Sequence, residues 1–272
     1  MKIARLRIQS LMITLLVLSL TTFSATAQDS SAEFLADLHQ FRINNYLALD
    51  SFYVYSATGD NGALNRIVAG INASNDAMNS VIASTSGVLS NQQVEGLGQE
   101  FDKFKDLMRS NITVVRDAGY PDLRLMADLA NKALGMNKLA TNLYVTAQEN
   151  SGAETDDRVE SARSAAVMMA RMMARYSART HSSVSQTFQG ASDEASLDQQ
   201  ARAFEQLLNQ VKAAATAGDL KATLDDVSSK WLFIRGSYIN YNENNVSFVI
   251  DRYSKGIIQG LTTTIELLEN NA

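Results

Sequence analysis

The stretch FLADLHQFRINNYLALDSFYVY, residues 34–55, decides the fold class. Phe34, Leu38, Phe41, Asn45, Ala48, Phe52 and Tyr55 recur at alternating steps of four and three, the seam period of a helix in a bundle. The pattern stops at Thr58-Gly59-Asp60-Asn61-Gly62, where a glycine can take the positive φ of a helix C-terminal cap. Arg42 stands beside the seam and Asn45 within it. A polar seam residue fixes helix register or meets a ligand, and both residues are carried forward as candidate ligand contacts.

The same period continues outward. A second helix is expected from Leu64, Val68, Ile71, Asn75, Met78 and Ile82, ending near Gly87, and a third from Val94, Leu97, Phe101, Phe104, Met108, Asn111 and Val115, ending at Gly119. Pro121 is expected just inside a fourth, where its missing N–H does no harm, with Leu123, Met126, Ala130, Ala133, Asn137, Ala140 and Tyr144 as the stripe. Asn150-Ser151-Gly152 closes the set. No β-alternation of useful length interrupts it, so the fold class is all-α.

Beyond Gly152 the pattern repeats. At a separation of 133 the second stripe falls on Leu197, Ala201, Phe204, Leu208, Val211 and Ala215, and Asp60 falls on Asp193. At 130 the third falls on Leu224, Val227, Trp231, Ile234, Tyr238 and Tyr241. Ile250, Tyr253, Ile257, Leu261 and Leu268 form a last stripe after an Asn-rich stretch, Asn240 to Asn245, which reads as a turn or a kink. The expectation is two tandem antiparallel four-helix bundles, residues 28–152 and 153–272, with Phe101 and Trp231 in equivalent core positions.

Residues 1–27 read as a signal peptide. Lys2, Arg5 and Arg7 precede an apolar run from Leu11 to Phe23, and Ala25-x-Ala27 has the small-x-small form of a cleavage site before Gln28. The alternative is an uncleaved anchor, but the run falls short of the roughly 20 apolar residues a spanning helix needs, and no later stretch approaches that length. The expected location is the periplasm. Removing the leader takes the 24 basic residues to 21 against 29 acidic ones, a net charge of −8. That balance argues against nucleic acid as a partner.

Catalytic patterns are sparse. A chain without cysteine offers no disulfide, thiolate metal site or thiol nucleophile. His39 and His181 are the two histidines, and neither belongs to HExxH or to the Glu-x-x-His pairs of a di-iron bundle. Asp156-Asp157 and Asp225-Asp226 lie near expected helix starts, where acids favour the helix dipole. No enzyme activity, cofactor or metal is expected.

One segment departs from the acidic average. No acidic residue lies between Glu160 and Asp193, while Arg171, Arg175 and Arg179 stand at i, i+4 and i+8 on a narrow helix face, with His181 two residues on. Such a ridge is offset either by carboxylates of a neighbouring helix, such as Asp198 or Glu205, or by a bound anion or partner. The four residues join Arg42 and Asn45 as candidate ligand contacts. Met168, Met169, Met172 and Met173 on the same helix read as flexible core filler.

The run Ala-Val-Met-Met-Ala-Arg-Met-Met-Ala-Arg-Tyr, residues 166–176, resembles the first-helix motif of the PilJ/NarX-type sensory domain, usually Arg-Met-Leu-Ser-Gln-Arg-Met-Ala-Lys. Phe204-x-x-x-Leu208, Gly218-Asp219-Leu220 and Val227-x-x-x-Trp231 are similar to its continuation. The resemblance implies a periplasmic four-helix sensory bundle of the kind found in type IV pilus chemotaxis transducers and nitrate-responsive kinases. The functional expectation is a soluble, detached sensory-type binding module that recognises a small anion or an envelope protein. The alternative is an interaction protein whose helical faces bind another envelope component, or a second copy of the chain, with no small ligand.

Overall fold

A computed structural model describes residues 2–84, 86–152, 155–181, 195–213, 217–243 and 245–270, with side chains from residue 30 onward. Among them lie eight α-helices and no strand: α1 Lys2–Thr58, α2 Asn61–Ala83, α3 Asn91–Ala118, α4 Leu123–Ser151, α5 Asp157–His181, α6 Leu197–Lys212, α7 Gly218–Ile239 and α8 Ser247–Glu269. Residues 2–27, expected from the sequence to be a signal peptide, are helical and continue into α1, while the side chains of Ala25 and Ala27, together with Asp193 and Ala215, lie outside the described residues. Among the described residues no helix is long and apolar enough to cross a membrane.

Local chemistry sets the boundaries. The Asp60 carboxylate caps α2 by accepting from Ala63 N–H at 2.8 Å, and Ser90 with Gln93 forms a capping box on α3. Gly119 closes α3 at φ 80°, a conformation that other residues take only with strain. Pro121 precedes α4 instead of opening it: Asp122 is the cap, accepting from the N–H groups of Arg124 and Leu125. Asp225 and Asp226 lie inside α7, where a lysine one turn away on the same helix, Lys221 and Lys230 respectively, holds each. The position near a helix start is therefore corrected to an i,i+4 pairing. Asn240 to Glu243 of the Asn-rich stretch form a turn after α7, and Asn244 lies outside the described residues.

The stripes of α1, α3 and α4 are buried largely as expected, but that of α2 is one residue out. Ala63, Ile67, Gly70, Ser74 and Ala77 are buried, while Val68 and Ile82 are at least half exposed. Small residues let α2 lie close against α1. A Cβ added at Gly70 would stand 3.1 Å from that of Ala48, so the contact face carries few of the large side chains by which periodicity is read.

α1 packs along α2, α4 and α5 and also meets α3; α3 packs on α4. α5 packs on α1, α6 and α8, and α7 on α6 and α8. α1 and α5 are thus central, buried on nearly every side instead of along one stripe. Phe41 meets Phe101 edge-on at 5.1 Å, Trp231 packs on Phe204 at 4.6 Å, and Met169, Met172 and Met173 are wholly buried.

Candidate functional site

A groove of about 450 Å³ follows α1 between α2 and α8. Its α1 side is Gln40, Ile43, Asn44, Leu47 and Ser51, a single face over residues 40–51 that at 1.5 Å per residue runs roughly 16 Å. Arg66, Ala69, Gly70 and Ala73 line it from α2, and Lys255, Ile258, Gln259 and Thr262 from α8. The surface is mostly apolar, and its charged lining groups are two cations, Arg66 and Lys255. Both act on the buried Asp50 carboxylate, next to Ser51, which places them at the same end. Arg66 meets Asp60 only at 4.0 Å and is nearly half exposed; Lys255 pairs with Asp251 on its own helix. Neither carboxylate lines the groove.

Beneath this surface, two polar levels interrupt the packing of α1 against its neighbours. At the first, His39, Arg42 and Arg163 are all buried. The Arg42 guanidinium lies 4.6 Å over the Tyr144 ring. Arg163 donates to Tyr144 Oη at 2.9 Å, to Glu160 at 3.1 Å and to Glu269 at 2.7 Å. Burial opposes the Arg163 charge, but Tyr144, Glu160 and Glu269 outweigh it and its pKa rises. Burial, then the charges of Arg42 and Arg163, hold His39 well below the usual imidazole range, and neither ring nitrogen has a protein partner. At the second level Ser177 Oγ donates to Asp50 at 2.5 Å, and the other carboxylate oxygen has no protein partner. Burial pushes Asp50 up to about 6 against the opposing pull of Ser177.

The six candidates from the sequence do not converge. Arg171 and Arg175 line a small cavity with Tyr46, Tyr53 and Ala130, of about 20 Å³, near the room one water needs. Arg175 also donates to the Ala195 carbonyl at 2.6 Å. Arg179 lies 5.2 Å over the Tyr241 ring, and half-buried His181 is lowered in pKa by desolvation. Arg42 belongs to the first polar level, and Asn45 donates to the Phe41 carbonyl of its own helix at 2.7 Å. Of the carboxylates expected to offset the ridge, Glu205 pairs with Arg235, and Asp198 accepts from Ser196.

Sequence reasoning missed Arg66, Lys255, Asp50 and Arg163. Glu160-x-x-Arg163 carried a signal, an i,i+3 pair of opposite charge. The groove carried none, because its third wall, α8, lies far along the chain from α1 and α2. Among the described residues no group of three or more His, Asp or Glu side chains could hold a metal. No family model, curated protein or solved structure matches the chain.

Proposed function

We propose that this chain is an exported, periplasmic helical binding module, two four-helix units in tandem, that holds a small ligand in the groove along α1. The groove itself is the observation that carries the reading: its volume falls within the range of small-molecule sites, and it combines a mostly apolar wall with two lining cations. The likeness of residues 166–176 to sensory-domain helices supports the same reading, and the leader supports export.

The tandem arrangement draws support from burial. Phe34, Leu38, Phe41, Asn45 and Ala48 of α1 match Ala162, Ala166, Met169, Met173 and Tyr176 of α5 at a separation of 128, every one buried. Ala63, Ile67, Gly70, Ser74 and Ala77 match Leu197, Ala201, Phe204, Leu208 and Val211 at 134, one more than the larger apolar residues suggest. Phe101 and Trp231 fall together at 130, and Met126, Ala130, Ala133 and Asn137 match Ile250, Ser254, Ile257 and Leu261 at 124.

Native mass spectrometry of the protein recovered from periplasm tests this. The expected species begins at Gln28 and carries a non-covalent mass that collisional activation removes. A chain retaining Met1 in the inner membrane rejects export. An unliganded chain whose melting temperature no small-molecule extract shifts rejects the binding role. That last result would favour the interaction-protein reading, for which exposed Leu232, Phe233 and Phe248 on α7 and α8 provide a surface.

A further inference from the structure

We infer that the groove along α1 takes an elongated apolar anion, an alkyl chain ending in a carboxylate or comparable headgroup. This deepens the binding-module reading and rests on it. The headgroup seat is the end where Arg66 and Lys255, the two cations that act on Asp50, line the groove with Ser51. Ile43, Leu47 and Ile258, with the short side chains of Ala69 and Ala73, make the apolar wall of the remaining length, which Gln40, Asn44, Gln259 and Thr262 also line with uncharged polar groups.

Charge placement selects the class. The cations are balanced by Asp50, Asp60 and Asp251, yet none of these carboxylates lines the groove, so a headgroup lying in it meets the cations first. Arg66 and Lys255 are each about one-third to one-half exposed and have donors to spare beyond one carboxylate apiece. A bare inorganic anion would gain nothing from the apolar trough, and a neutral alkyl chain nothing from the cations. Gly70 brings α2 against Ala48 of α1, which closes that side of the groove.

The test is isothermal titration at fixed ionic strength, below micelle-forming concentrations, with decanoate, octanoate, decanol, decyltrimethylammonium and sulfate. Wild type should bind decanoate at least tenfold more tightly than decanol, octanoate more weakly by about fourfold for each methylene lost, and sulfate or decyltrimethylammonium not measurably. Arg66→Ala with Lys255→Ala should bring decanoate down to decanol without changing decanol affinity. Ala73→Trp should abolish decanoate binding while circular dichroism and melting temperature show it folded. Equal affinity for the three decyl headgroups, abolished by Ala73→Trp, overturns the anionic class and leaves the binding module standing. Decanoate binding that survives Ala73→Trp removes the groove as its seat. If no tailed probe binds although the exported protein carries a ligand by mass spectrometry, the class is wrong and the module reading holds; if it carries none either, both fall.

Discussion

The two polar levels of α1 solve the same problem in opposite ways. At Arg42 and Arg163 two guanidinium groups are buried, and their long stems let countercharge arrive from the margin: Glu160 and the 43 % exposed Glu269 reach Arg163, and an aromatic face covers Arg42. Eight residues on, roughly 12 Å along the helix, Asp50 has a short side chain and receives a single hydroxyl. A carboxylate so placed cannot extend to water, so a proton becomes its most accessible counterion, and its pKa moves to about 6. The contrast shows that burial of charge is decided by side-chain reach and by which neighbours can follow it, more than by depth alone.

Removing the well-paired charge should have the largest effect. Arg163→Met leaves Glu160 and the Tyr144 hydroxyl at a site built around a guanidinium, and a loss of about 3–5 kcal/mol is expected for a broken buried pair, towards the lower figure because Glu269 can return to water. Urea unfolding at pH 7 measures it. A loss below about 1 kcal/mol would mean that this level contributes no more than a surface pair and would erase the contrast.

Asp50→Asn should act with the opposite sign. The folded carboxyl holds its proton up to about pH 6, while the unfolded one releases it near 3.8, so the native state carries a penalty above pH 6 that is relieved as pH falls towards 4. At about 1.4 kcal/mol per unit, the neutral amide should stabilise the protein by up to about 3 kcal/mol above pH 6, and the gain should vanish near pH 4. His39 works the other way in an overlapping window. Its depressed pKa gives stability that is present above about 6.5 and lost on acidification as the unfolded histidine takes up a proton. His39→Leu should therefore flatten the acid limb that Asp50→Asn steepens. Unfolding midpoints of both variants between pH 4 and 8 check this, and parallel profiles for the two would break the comparison.

These levels mark where sequence reading succeeded and stopped. Helix class and several ends were legible because the signals are local: Phe34 to Tyr55 in period, the glycine after Thr58 and Gly119 as stops. The α2 face was misread by one position because Gly70, Ser74 and Ala77 make the contact and larger residues flank it. His39, Arg42 and Asp50 lie off the seam read from the sequence, and their burial comes from tertiary packing: α5 docks on α1, and Tyr144 of α4 covers Arg42. The groove depends on α2 and α8 flanking α1, a tertiary fact with no period of its own.

The arginine ridge of α5 supplies a third level and the smallest expected effect. Arg175 is half-buried and donates to the Ala195 carbonyl, which Gln200 Nε2 also reaches at 3.1 Å. Arg175→Ala therefore leaves that acceptor partly satisfied, and a loss of at least about 1 kcal/mol is expected, the usual net value of one hydrogen bond. The ridge as an anion site predicts something else: small oxyanions should stabilise wild type and fail to stabilise the variant, while unliganded stability barely changes. Thermal shifts with sulfate, nitrate and dicarboxylates at constant ionic strength separate the two, since salt alone screens repulsion among Arg171, Arg175 and Arg179. Equal shifts in both proteins with a modest drop in melting temperature would place Arg175 with Arg163, as a cation engaged by its own chain. An anion-dependent shift confined to wild type would give α5 a ligand-binding level of its own, and the groove would then be one of two seats.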